Sequence, residues 1–164
     1  MDFSFYTFDQ LDAATLYEIL AHRMEVFVLG QGNIYRDLDG FDQKATHLLA
    51  RDETGALVGY VRLLPAALHY DGHDHNSFGR LSVKDAARGR GLGAELVRRA
   101  CGKLAQDSGD PVVEISAMAY LEDFYRRLGF ERISEEYAIA GVPHVNMIFS
   151  PYVHPRLKRT SGTL

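Results

Sequence analysis

The stretch Arg88-Gly89-Arg90-Gly91-Leu92-Gly93 decides which fold this 164-residue chain is expected to have. It follows an apolar segment at 79–84 and precedes a segment whose apolar residues recur at helical spacing. Glycine lets the backbone approach a ligand closely and adopt conformations that are closed to other residues. The first N–H groups of a helix are unpaired, and the helix dipole places partial positive charge there. With two arginines beside them, these groups predict a phosphate-binding turn.

Two common phosphate-binding patterns do not fit this turn. The GxxxxGK[ST] spacing of a P-loop is absent, and no lysine follows the glycines. The stretch also does not open the chain as GxGxxG with a later acidic residue, as a dinucleotide-binding fold would. A turn that only allows a helix to pack on a sheet is the alternative interpretation.

The segments before the turn predict one helix and four strands. An aromatic-rich strand is expected at 3–8, and Asp9 or Asp12 can cap a helix that runs to about Leu29. Its apolar face is predicted to comprise Leu16, Ile19, Leu20, Met24 and Phe27. A loop at 30–42 leads to strands at 47–52 and 57–64, joined by hairpin-turn chemistry at 53–55. The apolar segment at 79–84 is the fourth strand.

The segments after the turn predict a second alternation of helices and strands. Leu96, Val97, Ala100 and Leu104 share one helical face, and Gly109 follows as a stop signal. A strand at 112–116, a helix at 121–128 and strands at 130–133 and 145–149 complete the pattern. This order predicts a single α/β domain over residues 1–150 with a sheet of mixed direction, followed by a tail at 151–164.

Composition excludes several classes of protein. The net charge of −4 argues against a nucleic-acid-binding domain, which usually carries a basic surface. No apolar run approaches the roughly 20 residues that span a bilayer, and the opening MDFSFYTF lacks the basic region of a secretory signal. The single cysteine, Cys101, cannot form an internal disulfide, which agrees with a cytoplasmic location.

Acidic residues are concentrated in the loop after the first helix. Asp37, Asp39 and Asp42 could attract and orient a cationic amine. Turn and capping chemistry in a Gly/Asp loop explains the same residues equally well. Both interpretations are kept open.

Histidines suggest two further kinds of site. His69, His73 and His75 with Asp71 and Asp74 could hold a metal, but an exposed polar loop is the preferred interpretation. The candidates for a general base are His47, Glu25, Glu114 and His144. No spacing argument selects one of these four.

The turn and the element order resemble those of the GNAT superfamily of acetyltransferases. RGRGLG fits the R/Q-x-x-G-x-G/A signature that holds the acyl-CoA pyrophosphate in that family. More narrowly, LYEILAHRMEVFV, YRDLDGFDQKATHLLA, LEDFYRRLGF and GVPHVNM are similar to segments of ElaA-type GNAT proteins. The resemblance covers almost the whole chain. It implies a GNAT-like mixed, mostly antiparallel sheet with a splayed parallel strand pair, flanked by helices.

The resemblance also implies roles for particular residues. Acetyl-CoA would be the cosubstrate and no metal would be needed. The splayed strands would be Leu81–Val83 and Ile115–Ala117, with a backbone N–H near Val83 on the thioester carbonyl. Tyr125 would protonate the departing thiolate; the alternative, that its ring only packs the helix, is less favoured beside the glycine-rich turn. The residues implied to contact acyl-CoA are Leu81, Ser82, Val83, Arg88, Gly89, Arg90, Gly91, Leu92 and Gly93.

The expected activity is therefore direct transfer of an acyl group, most simply acetyl, to a small-molecule or peptide amine. Cys101 lies outside the inferred site, so a covalent acyl-cysteine is not favoured. Three alternatives are kept: a relative of acyl-homoserine-lactone synthases, a non-catalytic acyl-CoA-binding module and a metal-binding loop protein. A homodimer is left open.

Overall fold

The structure, a computed structural model, describes residues 1–30 and 36–152, whose main elements are eight strands and three α-helices. The strands are β1 Asp2–Thr7, β2 Thr46–Arg51, β3 Leu57–Leu64, β4 Ser77–Val83, β5 Val113–Met118, β6 Glu131–Arg132, β7 Tyr137–Ile139 and β8 Val142–Phe149. The helices are α1 Ala13–Arg23, α2 Leu92–Ser108 and α3 Glu122–Arg127.

The strands form two antiparallel half-sheets that meet at one point. The first has the order β1-β2-β3-β4, and the second has the order β5-β8-β6 with β7 also paired to β8. β4 and β5 run parallel at their first residues. There Asn76, which directly precedes β4, forms a β-bridge with Val113, and the Glu114 N–H donates to the Asn76 carbonyl at 2.8 Å. Past this bridge, no further ladder pair joins the two strands within the described ranges. The predicted mixed sheet with a splayed parallel pair is confirmed.

The helix after the glycine-rich turn has the predicted face. Leu96, Val97, Ala100 and Leu104 of α2 are buried, and they pack in one core with residues from both half-sheets. The helix ends where Gly109 adopts the left-handed conformation (φ 72°), as its stop signal predicted.

The first helix is not the single straight helix that the sequence predicts. Regular α1 ends at Arg23, and the backbone continues as a π-helical turn over Met24–Leu29. The wider turn rotates the following side chains relative to the α-helical face. Phe27 is buried as predicted and Val26 is buried beside it, whereas Met24 is 55% exposed. The prediction that Met24 belongs to the apolar face is wrong.

The C-terminal hairpin contains one strand that the sequence analysis missed. β7 pairs with β8 through a turn in which Ala140 (φ 49°) and Gly141 (φ 79°) are both left-handed. Alanine seldom adopts this conformation, so the turn carried no recognisable signal. Residues 153–164 of the predicted tail lie outside the described residues, and the division at 150 stays a prediction. In the described ranges, no helix is long and apolar enough to cross a membrane.

Candidate functional site

The glycine-rich turn presents a row of open backbone donors at the start of α2. Gly89 (φ 75°) and Gly91 (φ 79°) are both left-handed, a conformation that favours glycine. The N–H groups of residues 89–94 have no acceptor within the described chain. The space that a Cβ would occupy is empty at Gly89 and at Gly91. These features fit a bound diphosphate, which needs N–H donors and close access to the backbone.

The two arginines of the turn have different environments. Arg88 holds the turn in place, because its Nε donates to the Val83 carbonyl at 3.0 Å and its guanidinium lies 2.8 Å from Asp85. Arg90 is exposed and has no ion pair within the described residues. Leu92 points into the core, so it can offer a ligand only its backbone. Arg90 is therefore the arginine of the turn whose guanidinium is available to bind an anion.

A pocket of about 400 Å³ opens where β4 and β5 separate. Its walls are formed by Phe78–Leu81 of β4, by Ile115–Met118 of β5 and by Tyr125 of α3. Next to it, β4 contains a bulge, because the register with β3 changes between Gly79 and Ser82 and Arg80 is left-handed (φ 57°). A bulge bends its strand and disrupts pairing. Of the predicted strand segments, Leu81 and Ile115–Ala117 border this cavity, whereas Ser82 and Val83 do not line it.

The end of β4 offers a backbone donor toward β5. The Lys84 N–H donates to the Val58 carbonyl of β3 at 2.9 Å. Since N–H groups along an antiparallel strand point alternately to opposite sides, the Val83 N–H points away from β3. Ser82 is buried, and its Oγ lies 3.0 Å from Nε2 of His22.

Tyr125 combines a packed ring with an unengaged hydroxyl. Its ring lies in an aromatic cluster with Phe78, Phe124 and Phe130, at centroid distances of 6.2, 5.0 and 5.6 Å. Burial raises the pKa of the phenol well above its ordinary value, so the group stays protonated at neutral pH. No hydrogen bond inside the described part of the chain engages this hydroxyl, and the residue borders the pocket.

The three loop aspartates are paired with three arginines. Asp42 accepts from Arg23 at 2.7 Å and from Arg62 at 2.9 Å. Asp39 accepts from Arg62 at 2.6 Å and lies 3.2 Å from Arg80. Their negative charges are therefore compensated inside the protein.

The loop aspartates also differ in their access to the pocket. Asp37 accepts from Arg23 at 3.0 Å and from Arg80 at 2.8 Å. Asp39 borders the pocket and also accepts from the Phe41 N–H, which is the turn chemistry that the sequence suggested. Asp42 is only 7% exposed. Sequence analysis did not identify the arginines, although Arg62 within the apolar strand VGYVRLLP was a usable signal of a buried ion pair.

The histidine-rich loop is not wholly exposed, which corrects the sequence-based interpretation. His73 is 2% exposed; its Nδ1 lies 2.9 Å from Glu114 and its Nε2 lies 3.2 Å from Ser116 Oγ. His69 and His75 remain at the surface. In the chain as described, no three His, Cys, Asp or Glu side chains are grouped to hold a metal.

The remaining base candidates occupy different environments. His47 lies in the interior, with its nitrogens 2.7 Å from the Tyr60 hydroxyl and 3.0 Å from the Asp42 carbonyl, and burial lowers its pKa. His144 borders the pocket. Glu25 is exposed, 3.9 Å from Lys84.

Cys101 has no catalytic environment. Burial raises the pKa of its thiol to about 12, so little thiolate forms at neutral pH.

Known proteins resemble this chain over most of its length. A UPF0039 protein of Synechocystis is 35% identical over 149 residues, which are 91% of this chain and 95% of that protein. A solved acyl-CoA N-acyltransferase from Pseudomonas aeruginosa has a TM-score of 0.82 at 35% identity, covering 91% of this chain and 99% of the other. Escherichia coli ElaA has a TM-score of 0.79 at 28% identity, covering 92% and 100% of the two chains.

Acyl-homoserine-lactone synthases share the fold at lower identity. The synthase LasI has a TM-score of 0.71 at 16% identity, covering 90% of this chain and 88% of that protein.

Residues 15–150 match the family described as the acetyltransferase (GNAT) domain. Together with the fold and the open turn, this match shows that the chain belongs to the GNAT acetyltransferase family, among its ElaA-type members.

Proposed function

We propose that the protein transfers an acyl group, acetyl in the first instance, from acyl-CoA directly to an amine in a ternary complex. The observation that carries the proposal is the row of open N–H donors at 89–94, in one fold with a pocket between two splayed strands. The turn, β4 and α3 meet at Gly93, where a Cβ would lie 3.6 Å from Phe124 and 3.9 Å from Val83. A ligand held on the turn could therefore reach the pocket.

The turn residues would bind the diphosphate of acyl-CoA. The N–H groups of residues 89–94 would donate to its oxygens, and Arg90 would add a charge-assisted contact. Arg88 would keep the turn against β4 through its bond to the Val83 carbonyl. Bound acyl-CoA supplies an activated acyl group in a thioester. The Val83 N–H would stabilise the charge that grows on the thioester carbonyl oxygen.

Tyr125 would donate the proton that the departing thiolate needs. Its position on the pocket wall and its unengaged hydroxyl support this role. The raised pKa keeps the proton available across the neutral range.

The acceptor would approach from the side of the pocket that Asp39 borders. Because Asp39 is already bonded to Arg62 and Arg80, it would orient an ammonium group rather than attract it over a distance. Asp37 and Asp42 would support this by holding the arginines in place. We place the activity in the cytoplasm, where a chain with one cysteine stays reduced.

Amine-dependent thiol release tests the proposal. Purified protein is mixed with acetyl-CoA and separately with alkylamines, polyamines, amino acids and peptides, and free CoA is measured against an amine-free baseline. We expect at least one amine class to raise the rate above that baseline. CoA binding without turnover for every amine class would instead indicate a non-catalytic binding module.

A further inference from the structure

A carboxylate, an imidazole and a hydroxyl are arranged in a line that ends in the pocket. Glu114 lies 2.9 Å from Nδ1 of His73, and Nε2 of the same ring lies 3.2 Å from Ser116 Oγ. His73 is almost completely buried, whereas Ser116 borders the cavity. The proposed function gives this arrangement no role.

The contacts determine which ring nitrogen of His73 carries the proton. A carboxylate can only accept, so Glu114 requires a proton on Nδ1. In the neutral ring Nε2 is then unprotonated, and its lone pair faces the Ser116 hydroxyl. Ser116 Oγ also lies 3.4 Å from Asn146 Oδ1, which in turn accepts from the Tyr137 hydroxyl. The single hydroxyl proton of Ser116 can serve only one of these two acceptors at a time, and the nearer one is His73 Nε2 at 3.2 Å.

Ser116 and Tyr125 approach the pocket from opposite faces of β5. Side chains alternate along a strand, so Ile115 and Ala117 point to one face and Ser116 to the other. Ile115 and Ala117 pack in the same core as Tyr125. A proton acceptor at Ser116 would thus lie across the strand from the proton donor.

We propose that Ser116 is the catalytic residue that removes the proton from the acceptor amine, with His73 and Glu114 as positioning residues behind it. This inference rests on the proposed acyltransferase function. Before attack, one proton of the ammonium passes to Ser116 Oγ, which frees the lone pair of the amine nitrogen. The hydroxyl proton of Ser116 moves to His73 Nε2, and Glu114 stabilises the resulting imidazolium. As the amine nitrogen then bonds to the acyl carbon and the C–S bond breaks, the thiolate takes its proton from Tyr125. The new amide gives its surplus proton to the Tyr125 oxygen, so charge and protons balance.

Kinetics with two kinds of amine test this proton relay, which runs from the amine through Ser116 to His73. The variants are Ser116→Ala, His73→Gln and Glu114→Gln, with His75→Gln as a matched control from the same loop. For an alkylamine, which is protonated at neutral pH, we expect kcat to fall about 10²-fold or more in the first two variants. For an arylamine or an alkoxyamine, which is already unprotonated, the loss should stay below about tenfold. The KM for acetyl-CoA should not change.

The outcomes separate a relay from a structural role. Equal losses with both kinds of amine, or a loss confined to KM, would overturn the inference. So would an acetyl group found on Ser116 by mass spectrometry after incubation with acetyl-CoA, since that would make Ser116 a nucleophile. His75→Gln should keep the rates of the unaltered protein.

A spectroscopic measurement tests the relay even if no amine is turned over. Long-range ¹H–¹⁵N NMR of histidine-labelled protein at about pH 8.5, above the ordinary pKa of histidine, identifies the protonated nitrogen of each ring. The signals of His73 are assigned by their loss in His73→Gln. We expect a proton on Nδ1 and none on Nε2. A proton on Nε2 would overturn the relay, whereas absence of amine-dependent turnover with the Nδ1 tautomer would refute only the proposed function.

Discussion

Asp42 shows how a buried charge is stabilised in this molecule. Burial by itself raises the pKa of its carboxyl, but the hydrogen bonds and charges of Arg23 and Arg62 outweigh that effect and hold the pKa below its ordinary value. Removing one member of such a group leaves the others buried and uncompensated. The loop that follows α1 is thereby fixed to α1 and to β3.

Replacing this carboxylate should destabilise the protein. For Asp42→Asn we expect a loss of about 3 kcal/mol in the free energy of unfolding at pH 7, measured by urea denaturation. The exposed control Asp9→Asn should stay within about 0.5 kcal/mol. Because the folded-state pKa is lowered, the stabilisation is present above the ordinary pKa and is lost as the pH falls through the folded-state value. The difference between Asp42→Asn and the unaltered protein should therefore shrink in strong acid, and a constant difference would contradict this account.

His22 is a second group whose protonation lowers stability as the pH falls. Its side chain is buried, and burial followed by the charge of Lys84 lowers its pKa from 6.5 to about 4. Its Nδ1 has no hydrogen-bond partner among residues 1–30 and 36–152, so protonation would place an unpaired N–H in the interior. The unfolded chain takes up this proton near pH 6.5 and the folded chain only near pH 4.

The free energy of unfolding should consequently decrease as the pH is lowered from 6.5 to about 4. The contribution of His22 amounts to about 3 kcal/mol across the interval. We expect His22→Gln to lack this part of the slope when unfolding is measured by urea at a series of pH values. If both proteins show the same slope, His22 is not the group that titrates.

Tyr125 can be tested by removing only its hydroxyl. Tyr125→Phe keeps the ring in its aromatic cluster, so the thermal midpoint and CoA affinity should be nearly unchanged. We expect kcat to fall about 10²–10⁴-fold, because the thiolate loses its proton donor. Full activity with an unchanged pH profile would refute the role.

The two ends of α2 provide a matched test of the glycine-rich turn. Gly91 and Gly109 are left-handed at φ 79° and 72°, and a Cβ at either position would meet open space. A β-branched residue is strained at both positions by roughly 1–2 kcal/mol. Gly91→Val would also place its side chain in the proposed diphosphate site, whereas Gly109→Val would not.

Only the variant in the turn should affect ligand binding. We expect similar losses of stability in Gly91→Val and Gly109→Val by urea denaturation. Calorimetric titration with CoA should show binding abolished in Gly91→Val and retained in Gly109→Val. Unchanged affinity in Gly91→Val would mean that the turn does not hold the diphosphate.

Elements with a strong local pattern were predictable from the sequence. The strand at 57–64 and the buried face of α2 agree with the structure because apolar periodicity and a glycine stop signal define them locally. The π-helical turn and the β7–β8 hairpin were not predictable, since neither a widened helical turn nor Ala140 at positive φ has a sequence signature.

The candidate site likewise has one part that could be predicted from the sequence and one part that could not. The turn at 88–93 is a contiguous motif and could be recognised directly. The contact of His73 with Glu114 joins residues 41 positions apart in the chain, and the sequence gives no register for it. Its loop contains glycine, aspartate and histidine, which is also typical of an exposed loop, so burial of one histidine could not be foreseen.

The proposed site uses both halves of the molecule. β4 and the turn belong to the first half-sheet and its following helix, whereas β5 and α3 belong to the second. One core spans the two halves, because Val61, Leu96, Ile115 and Val145 share a single buried cluster. Asn76, at the junction of the two half-sheets, is buried. Its side-chain amide donates to Ser108 Oγ and to the Asp110 carbonyl at 2.8 Å each, which stabilises the junction. The pocket therefore depends on the fold as a whole.

Direct transfer between two bound substrates is the central claim, and rapid-quench single-turnover kinetics with mass spectrometry test it most directly. Protein in excess over acetyl-CoA is mixed with an amine identified by the thiol-release screen. CoA, the N-acetylated amine and the intact protein mass are then followed in the same samples. We predict that CoA and the acetylated amine appear at one rate, with no acetylated protein at any time. Release of CoA without acetylated amine, or a transient acetyl adduct on the protein, would contradict the account.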